Sequence, residues 1–383
     1  MKKILSLILT AVLLLSVLCV PAGAAEFAQE VTAKSAILMD AATGKVLFEY
    51  NADEALPPAS VTKVMTLLLV FEAIDSGTLK LTDMVTTSET AASMGGTQIF
   101  LEVGEQMCVE DLIKSVVISS ANDAACALAE HIAGSESAFV AKMNERAKAL
   151  GMVNTNFENT NGLDDTTENH VTSARDIAIM SRELMKHEKI FDYTTVWMDT
   201  VRGGEFGLSN TNRLLRTYSG CTGLKTGSTS KAKFCISATA KRGDLSLIAV
   251  VMGAPTRDER NALAAKLLDF GFANYALFSE KEAEMEEIKL TGGTKNTLKL
   301  KKEGYSALLE KTDIAKIEAV CALPESVPAP VKKGDVIGTV TYKCGETVIG
   351  KANIVANEDA AKMDFFTMMW RILRAMLCAS ESE

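Results

Sequence analysis

Apolar and polar positions along the chain change period several times, and each change marks an element. Residues 35–40 (SAILMD) and 44–50 (GKVLFEY) flank a turn at residues 41–44 and predict a β-hairpin. From Val61 to about Leu150 the pattern is mainly helical: VEDLIKSVVISS and DAACALAEHIAG repeat apolar residues at intervals of three and four. Ser173 to Asp176 reads as the capped start of a further helix, ARDIAIMSRELM. Near Phe234 the period falls to two. FCISATA and LSLIAVVMGA predict two strands around KRGD, and a helix follows from about Asp258 to Tyr275. Strands therefore open and close this region with helices between them. That order predicts an α+β domain whose first and last strands share one antiparallel sheet.

From about Glu284 to Asn357 the text differs. Short alternating runs (EEIKL, TLKLK, IEAVCAL, VIGTVTY) punctuated by Gly and Pro predict a small all-β module. The tail returns to helical spacing. There Thr367, Arg371, Arg374 and Cys378 share a narrow arc, while Phe365, Phe366, Met368, Met369, Trp370, Ile372, Leu373, Met376 and Leu377 cover the remainder. Such a helix suits the headgroup plane of a membrane, arginines toward anionic lipid; the alternative is a helix packed on the protein body.

The other end carries Lys2 and Lys3, an apolar run from Ile4 to Val20, then Pro21, Ala22, Gly23 and Ala24. This is the layout of a secretory signal cleaved after Ala24 or Ala25, with an uncleaved membrane helix as the alternative. Cys19 follows the bulky Leu18, which does not suit lipid attachment.

Length and composition narrow the function classes. The chain has 383 residues, 48% hydrophobic and 6% aromatic, enough for two globular domains. Its net charge of −9 repels phosphate backbones, so no nucleic-acid partner is expected. Beyond the leader, Cys108, Cys126, Cys221, Cys235, Cys321, Cys344 and Cys378 form no CxxC pair, and His131, His170 and His187 lack ligand spacing. Neither a metal site nor a disulfide framework is expected, and most of these cysteines are expected to be buried as small hydrophobes.

The candidate chemistry begins in PPASVTKVMT, where Lys63 opens an otherwise apolar helix three residues after Ser60. A serine hydroxyl needs a nearby base to become a nucleophile. Positions i and i+3 share a helix face, and apolar surroundings disfavour the charged ammonium, which moves it toward accepting a proton. Ser-x-x-Lys alone is weak, because Ser228/Lys231 and Ser230/Lys233 also satisfy it. Two further triplets change the odds: SAN at Ser120–Asn122 and KTG at Lys225–Gly227, each occurring once. The order SxxK, SxN, KTG is the signature of penicillin-binding proteins and class A β-lactamases.

On these residues the chain resembles the low-molecular-mass penicillin-binding proteins, serine-type D-alanyl-D-alanine carboxypeptidases of peptidase family S11. The likeness runs through PPASVTKVMT, ISSANDAACALAEHIAGS, NTNGLDD, SARDIAIM, NTNRLL, GLKTGSTSKA and LLDFGF. It implies a signal peptide at 1–24 and a serine β-lactamase/transpeptidase-like domain at 26–278, an antiparallel sheet with helices and a helical insertion. A small all-β domain at 284–357 and an amphipathic membrane-anchoring helix at 363–378 would follow.

The resemblance also implies roles. Ser60 would attack the carbonyl between the two D-alanines of a peptidoglycan stem peptide, Lys63 would take its proton, and Ser120 would relay a proton to the leaving D-alanine. Lys225 would hold that relay, and Asn122 would bond the substrate backbone. The N–H groups of Ser60 and Ser228 would form an oxyanion hole. Thr226 and Gly227 would offer a strand edge to the extended peptide. Arg260 falls at the carboxylate-binding position, with Arg257 its rival. β-Lactams would acylate Ser60, no cofactor is implied, and the enzyme would be exported to the outer face of the cytoplasmic membrane. Lys233 departs from the family pattern, which has Gly there and puts the local loop geometry in question. His170 and Asp176 read as structural. Neither Glu158 nor Glu168 sits in the Glu-x-x-Leu-Asn setting of a β-lactamase deacylating base.

Overall fold

β1 (Ser35–Asp40) and β2 (Val46–Tyr50) form the expected antiparallel hairpin, in register from Ala36↔Tyr50 to Met39↔Val46. In the computed structural model of the protein, the described residues are 27–165, 167–370 and 373. The predicted leader at 1–24, with Cys19, lies outside them. So do Arg371, Ile372, Arg374, Met376, Leu377 and Cys378 of the tail. By its contacts the chain divides into two compact units, one built mainly of Val46–Ala240 and Leu247–Asn274, the other mainly of residues from Tyr275 onward.

In the first unit, β1 and β2 join β7 (Cys221–Thr229), β8 (Lys233–Arg242) and β9 (Leu245–Ala254) in one five-stranded sheet of order β2-β1-β9-β8-β7. The first and last strands of the unit thus share a sheet, and β7 stands at its edge. Every residue of β1 is buried, and β9 is buried apart from two positions, so the sheet is covered on both faces. α6 (Arg257–Asn274) lies against it closely enough that a Cβ on Gly271 would come within 2.5 Å of the Leu247 side chain.

The helical insertion comprises α1 (Lys63–Asp75), α2 (Val109–Lys114), α3 (Asn122–Ala133), α4 (Glu136–Ala149) and α5 (Ala174–Leu184). α1 buries Val64, Met65, Leu67, Leu68, Val70 and Phe71, apolar residues on nearly all sides, as a central helix must. α5 starts as expected, with the Ser173 hydroxyl accepting from the Asp176 N–H. The segment read as mainly helical also holds a two-stranded ribbon, β3 (Met84–Thr86) with β4 (Gln106–Cys108). Three-residue strands are too short to show alternation. A second ribbon pairs β5 (Met198–Val201) with β6 (Phe206–Ser209).

Up to the tail the second unit is built of β-strands, as its alternation predicts, with one helical turn at Lys311–Ile314. β10 (Tyr275–Glu280) pairs with β13 (Tyr305–Glu310). A six-stranded sheet contains β11 (Ala283–Thr291), β12 (Thr297–Lys302), β14 (Ile317–Ala322), β15 (Ser326–Pro328), β16 (Val336–Cys344) and β17 (Thr347–Ala356), in the order β14-β16-β17-β12-β11-β15. Leu298, Leu300, Tyr342 and Ile354 form the centre of its core.

The cysteines depart from expectation. All six described ones are free, but only Cys126 and Cys235 are buried. Cys321 is exposed because β14 is an edge strand. The tail forms a helix over residues 365–370, opened by Asp364, whose carboxylate accepts from Thr367 N–H at 2.9 Å. Phe365, Phe366 and Trp370 are exposed, and among the described residues no helix is long and apolar enough to cross a membrane.

Candidate active site

Pro57 and Pro58 end the preceding segment, and Ala59 takes a left-handed φ of 49° that turns the chain into a 3₁₀ turn, Ala59–Thr62. α1 begins directly at Lys63. In a 3₁₀ turn, residues i and i+3 eclipse. The Lys63 Nζ accordingly lies 3.0 Å from the Ser60 Oγ. Neither competing Ser-x-x-Lys pair behaves this way: Lys231 donates to the Asp164 carbonyl, and Ser230 and Lys233 are both exposed.

Lys63 is fully buried, with three oxygen neighbours. Besides Ser60, its Nζ donates to the Asn122 Oδ1 at 2.6 Å and the Asn161 carbonyl at 3.0 Å. The last two can only accept, whereas a hydroxyl can also donate. The three oxygens accommodate either form: an ammonium donates to all of them, and a neutral amine gives two N–H bonds to Asn122 and Asn161 and turns its lone pair to the Ser60 hydroxyl. Electrostatics favour the neutral form. Burial, and next the charge of Lys225, hold the Lys63 pKa well below its ordinary value of 10.5.

Ser120 follows a π-helical turn, Ser115–Ser119, that ends α2, and it adopts a left-handed φ of 67°. Both features are uncommon for a non-glycine residue and recur at functional sites. The conformation aims Ser120 at β7, where the Lys225 Nζ donates to its Oγ at 2.8 Å and to the Thr226 carbonyl at 2.9 Å. Burial, with Arg260 second, lowers the Lys225 pKa to about 7. Gly227 is dictated by proximity. A Cβ there would meet the Ser60 nitrogen at 2.8 Å and the Pro58 carbonyl at 2.9 Å, so the KTG strand abuts the start of the nucleophile's turn. The Thr226 hydroxyl donates to the Thr211 Oγ1 at 2.7 Å.

Asn122 braces the site: its Oδ1 is taken by Lys63, and its Nδ2 donates to the Gly95 carbonyl at 2.7 Å in the loop before β4, which leaves the second Nδ2 hydrogen for the substrate contact expected of it.

Ser60, Ser120, Thr226, Gly227, Ser228 and Arg260 line one cavity of about 400 Å³, together with Arg213 and Arg257. Among the described residues, no Asp or Glu lines it. Arg260 is buried and fixed: its Nε and Nη2 donate to the Asn261 Oδ1, and its Nη1 to the Cys235 carbonyl at 3.3 Å. That leaves one N–H on each terminal nitrogen, a fork that fits a carboxylate. Burial, then repulsion from Arg257, lowers its pKa to about 10. Arg213 and Arg257 are exposed, and among the described residues neither forms a side-chain hydrogen bond or ion pair.

Two contributors had no signal in the sequence. Asn161 acts through its carbonyl, which any residue would supply, and Arg213 stands in NTNRLL without a motif of its own. The residues read as structural brace the site. His170 Nδ1 accepts from the Glu158 N–H at 2.9 Å, and its Nε2 meets the Thr62 hydroxyl at 2.8 Å, beside Lys63. The Asp176 carboxylate accepts from Asn154 N–H and the Thr155 hydroxyl. Glu158 holds the N–H groups of Glu168 and Asn169, away from the cavity lining. Lys233 has a φ of 58°, so the loop keeps a left-handed position that favours glycine and imposes it on a lysine.

Residues 22–256 match the family described as D-alanyl-D-alanine carboxypeptidase, and residues 272–362 match that described as Penicillin-binding protein 5, C-terminal domain. The chain is 42% identical over 388 residues to the D-alanyl-D-alanine carboxypeptidase DacF of Bacillus subtilis, covering 97% of this chain and 98% of that protein. Penicillin-binding protein 5 from Haemophilus influenzae is similar in structure, with a TM-score of 0.75 and 35% identity over 87% of this chain and 99% of that one. Penicillin-binding protein D2 from Listeria monocytogenes, in an ampicillin-bound form, gives a TM-score of 0.58 and 32% identity over 63% of this chain and 98% of that one.

Proposed function

The chain belongs to the D-alanyl-D-alanine carboxypeptidases of peptidase family S11, and from that membership we propose how its own residues carry the reaction. It is a penicillin-sensitive serine carboxypeptidase that removes the terminal D-alanine from peptidoglycan stem peptides. The observation that carries the mechanism is the buried Lys63 nitrogen, shared among one hydroxyl and two obligate acceptors.

Ser60 Oγ attacks the carbonyl of the penultimate D-alanine as its proton passes to neutral Lys63. Charge developing on the carbonyl oxygen is held by the N–H groups of Ser60 and Ser228, a contribution of roughly 3 kcal/mol per donor. The C–N bond then breaks while the Ser120 hydroxyl, held by Lys225, passes its proton to the leaving nitrogen and regains one as Lys63 gives up the proton it took from Ser60. Free D-alanine departs, and an acyl ester remains on Ser60. Water hydrolyses that ester, and Ser60 regains its proton. Thr226 and Gly227, on the edge strand β7, pair with the substrate backbone, and Arg260 binds the terminal carboxylate. A penicillin enters by the same acylation but leaves slowly.

Incubation with a diacetylated Lys-D-Ala-D-Ala peptide tests this reading, and D-alanine release is expected. Rapid penicillin turnover without D-alanine release would favour a β-lactamase, a reading already disfavoured by the lack of a cavity carboxylate. Failure to acylate at all would favour a silent wall-binding scaffold. Export through the leader at 1–24 and membrane association through 363–378 complete the proposal, supported by the exposed Phe365, Phe366 and Trp370. Deleting residues from Asp364 onward is expected to release the mature protein from membranes, and unchanged sedimentation would defeat the anchor.

A further inference from the structure

Between β3 and β4 the chain passes the cavity at Thr97 and, three residues later, turns Phe100 outward. Phe100 is 68% exposed, although Ile99 and Leu101 on either side are buried. Its φ of 58° is a left-handed conformation that costs a bulky aromatic residue energy. Four hydrogen-bonding groups force it. The Asp123 carboxylate accepts from the N–H groups of Ile99 and Leu101. Arg202 donates from below to the carbonyls of Ile99, at 2.8 Å, and Phe100, at 3.2 Å. The loop is thus pinned on both sides of Phe100, and the exposure of the ring is built in.

Phe100 has an aromatic neighbour. Phe206, at the start of β6, lies edge-on with ring centroids 6.4 Å apart, and the Arg202 guanidinium covers Phe206 at 5.5 Å. The same β6 strand ends at Ser209, which lines the cavity. Two elements that wall the cavity therefore extend into one aromatic shelf at its rim. The shelf carries no free charge from Arg202, whose Nε and Nη2 are paired to both Glu105 carboxylate oxygens at 2.8 and 3.0 Å. Exposed Glu102 and Glu205 adjoin the two rings in the chain, so the shelf suits the C–H face of an uncharged sugar ring better than a phosphate-bearing surface.

We propose that Phe100 and Phe206 form a docking shelf for the glycan strand from which the stem peptide hangs. The inference rests on the carboxypeptidase reading given above. The Thr97 loop and β6 each run from the cavity wall to one of the two rings, so the shelf lies where the polymer carrying a peptide bound in the cavity would emerge. The shelf thereby gives the enzyme a preference for polymeric over free peptide substrates.

The test compares intact peptidoglycan with the diacetylated tripeptide for wild type, Phe206→Ala and Phe100→Asn, the last because Asn tolerates the left-handed backbone. The expected result is a roughly fivefold fall in kcat/KM on the polymer, the size of a lost aromatic contact, with the tripeptide rate unchanged. A peptide-free oligosaccharide of N-acetylated hexosamines should shift the Phe100 and Phe206 ring signals in NMR spectra of the wild type. Equal losses on both substrates, no loss on either, no ring shifts, or a loss of vesicle binding instead would each overturn the shelf. Should the wild type release no D-alanine from the tripeptide, the carboxypeptidase reading fails, while the oligosaccharide titration still reports on the shelf.

Discussion

The core of the C-terminal β unit and the interior beneath the active site are both nearly closed to water, yet they hold opposite materials. Leu298, Leu300, Tyr342 and Ile354 fill the first, and the Tyr342 hydroxyl finds the Glu280 carboxylate at 3.0 Å. Nothing there costs more than packing repays. The second buries Lys63, Lys225 and Arg260 with Asn122 and Asp123. Burying cations near one another is unfavourable: burial lowers the pKa values of all three, helped by Lys225 at Lys63, by Arg260 at Lys225 and by Arg257 at Arg260. A chain that selected only for stability would place hydrophobes at these positions. The contrast separates residues kept for folding from residues kept for chemistry.

The strongest test of that separation removes the chemistry alone. Ser60→Ala should abolish covalent labelling by fluorescent penicillin while the melting temperature is preserved, and persistent labelling would refute the nucleophile. Lys63→Met should cut the acylation rate by about a thousandfold, within the span of lost general-base catalysis. It should leave the protein equally or more resistant to denaturant. A marked loss of stability there would erase the distinction between the two interiors.

Leu300→Ala in the β unit is the converse experiment. It should cost about 2–5 kcal/mol in denaturant titration, with kcat per folded molecule unchanged. Arg260→Ala should next reduce peptide cleavage about a hundredfold, as loss of a charged, buried contact would, and affect penicillin labelling far less. Equal losses would undo its carboxylate role.

Titration sharpens the comparison further. Lys225 loses its proton near pH 7 in the folded protein but near 10.5 when unfolded. Between those values the unfolded chain binds the extra proton, so stability rises with pH through this window and is flat below it. Lys225→Met should reduce the rise, leaving the part that buried Lys63 contributes in the same direction, whereas Leu300→Ala should leave it intact. Acylation, which needs neutral Lys63, should fall as pH drops through that depressed pKa. The smallest effect is expected at the rim. Arg213→Ala should lower kcat/KM a few-fold at low salt and little at high salt, since exposed charge is screened within about 8 Å at physiological ionic strength.

Much of the fold was legible because it depends on period. The hairpin of β1 and β2, the paired runs of β8 and β9, the Ser173 cap and the β-rich C-terminal unit each announce themselves by alternation or capping. The β3–β4 and β5–β6 ribbons did not, because three or four residues carry no period. Cysteine burial was misjudged because it depends on which strand lies at an edge, and Cys321 is on one.

The sequence by itself determined which residue types meet: a serine one turn before a lysine, a second serine with an asparagine, and a lysine followed by threonine and glycine, in that order. Local spacing can do this because i and i+3 are neighbours in any helical turn. Only the tertiary structure decided which of three Ser-x-x-Lys pairs is joined, that Asn122 serves Lys63, and that a main-chain oxygen of Asn161 completes the set. Those contacts span distant parts of the chain. The desolvation that leaves an amine neutral comes from burial by all of them together.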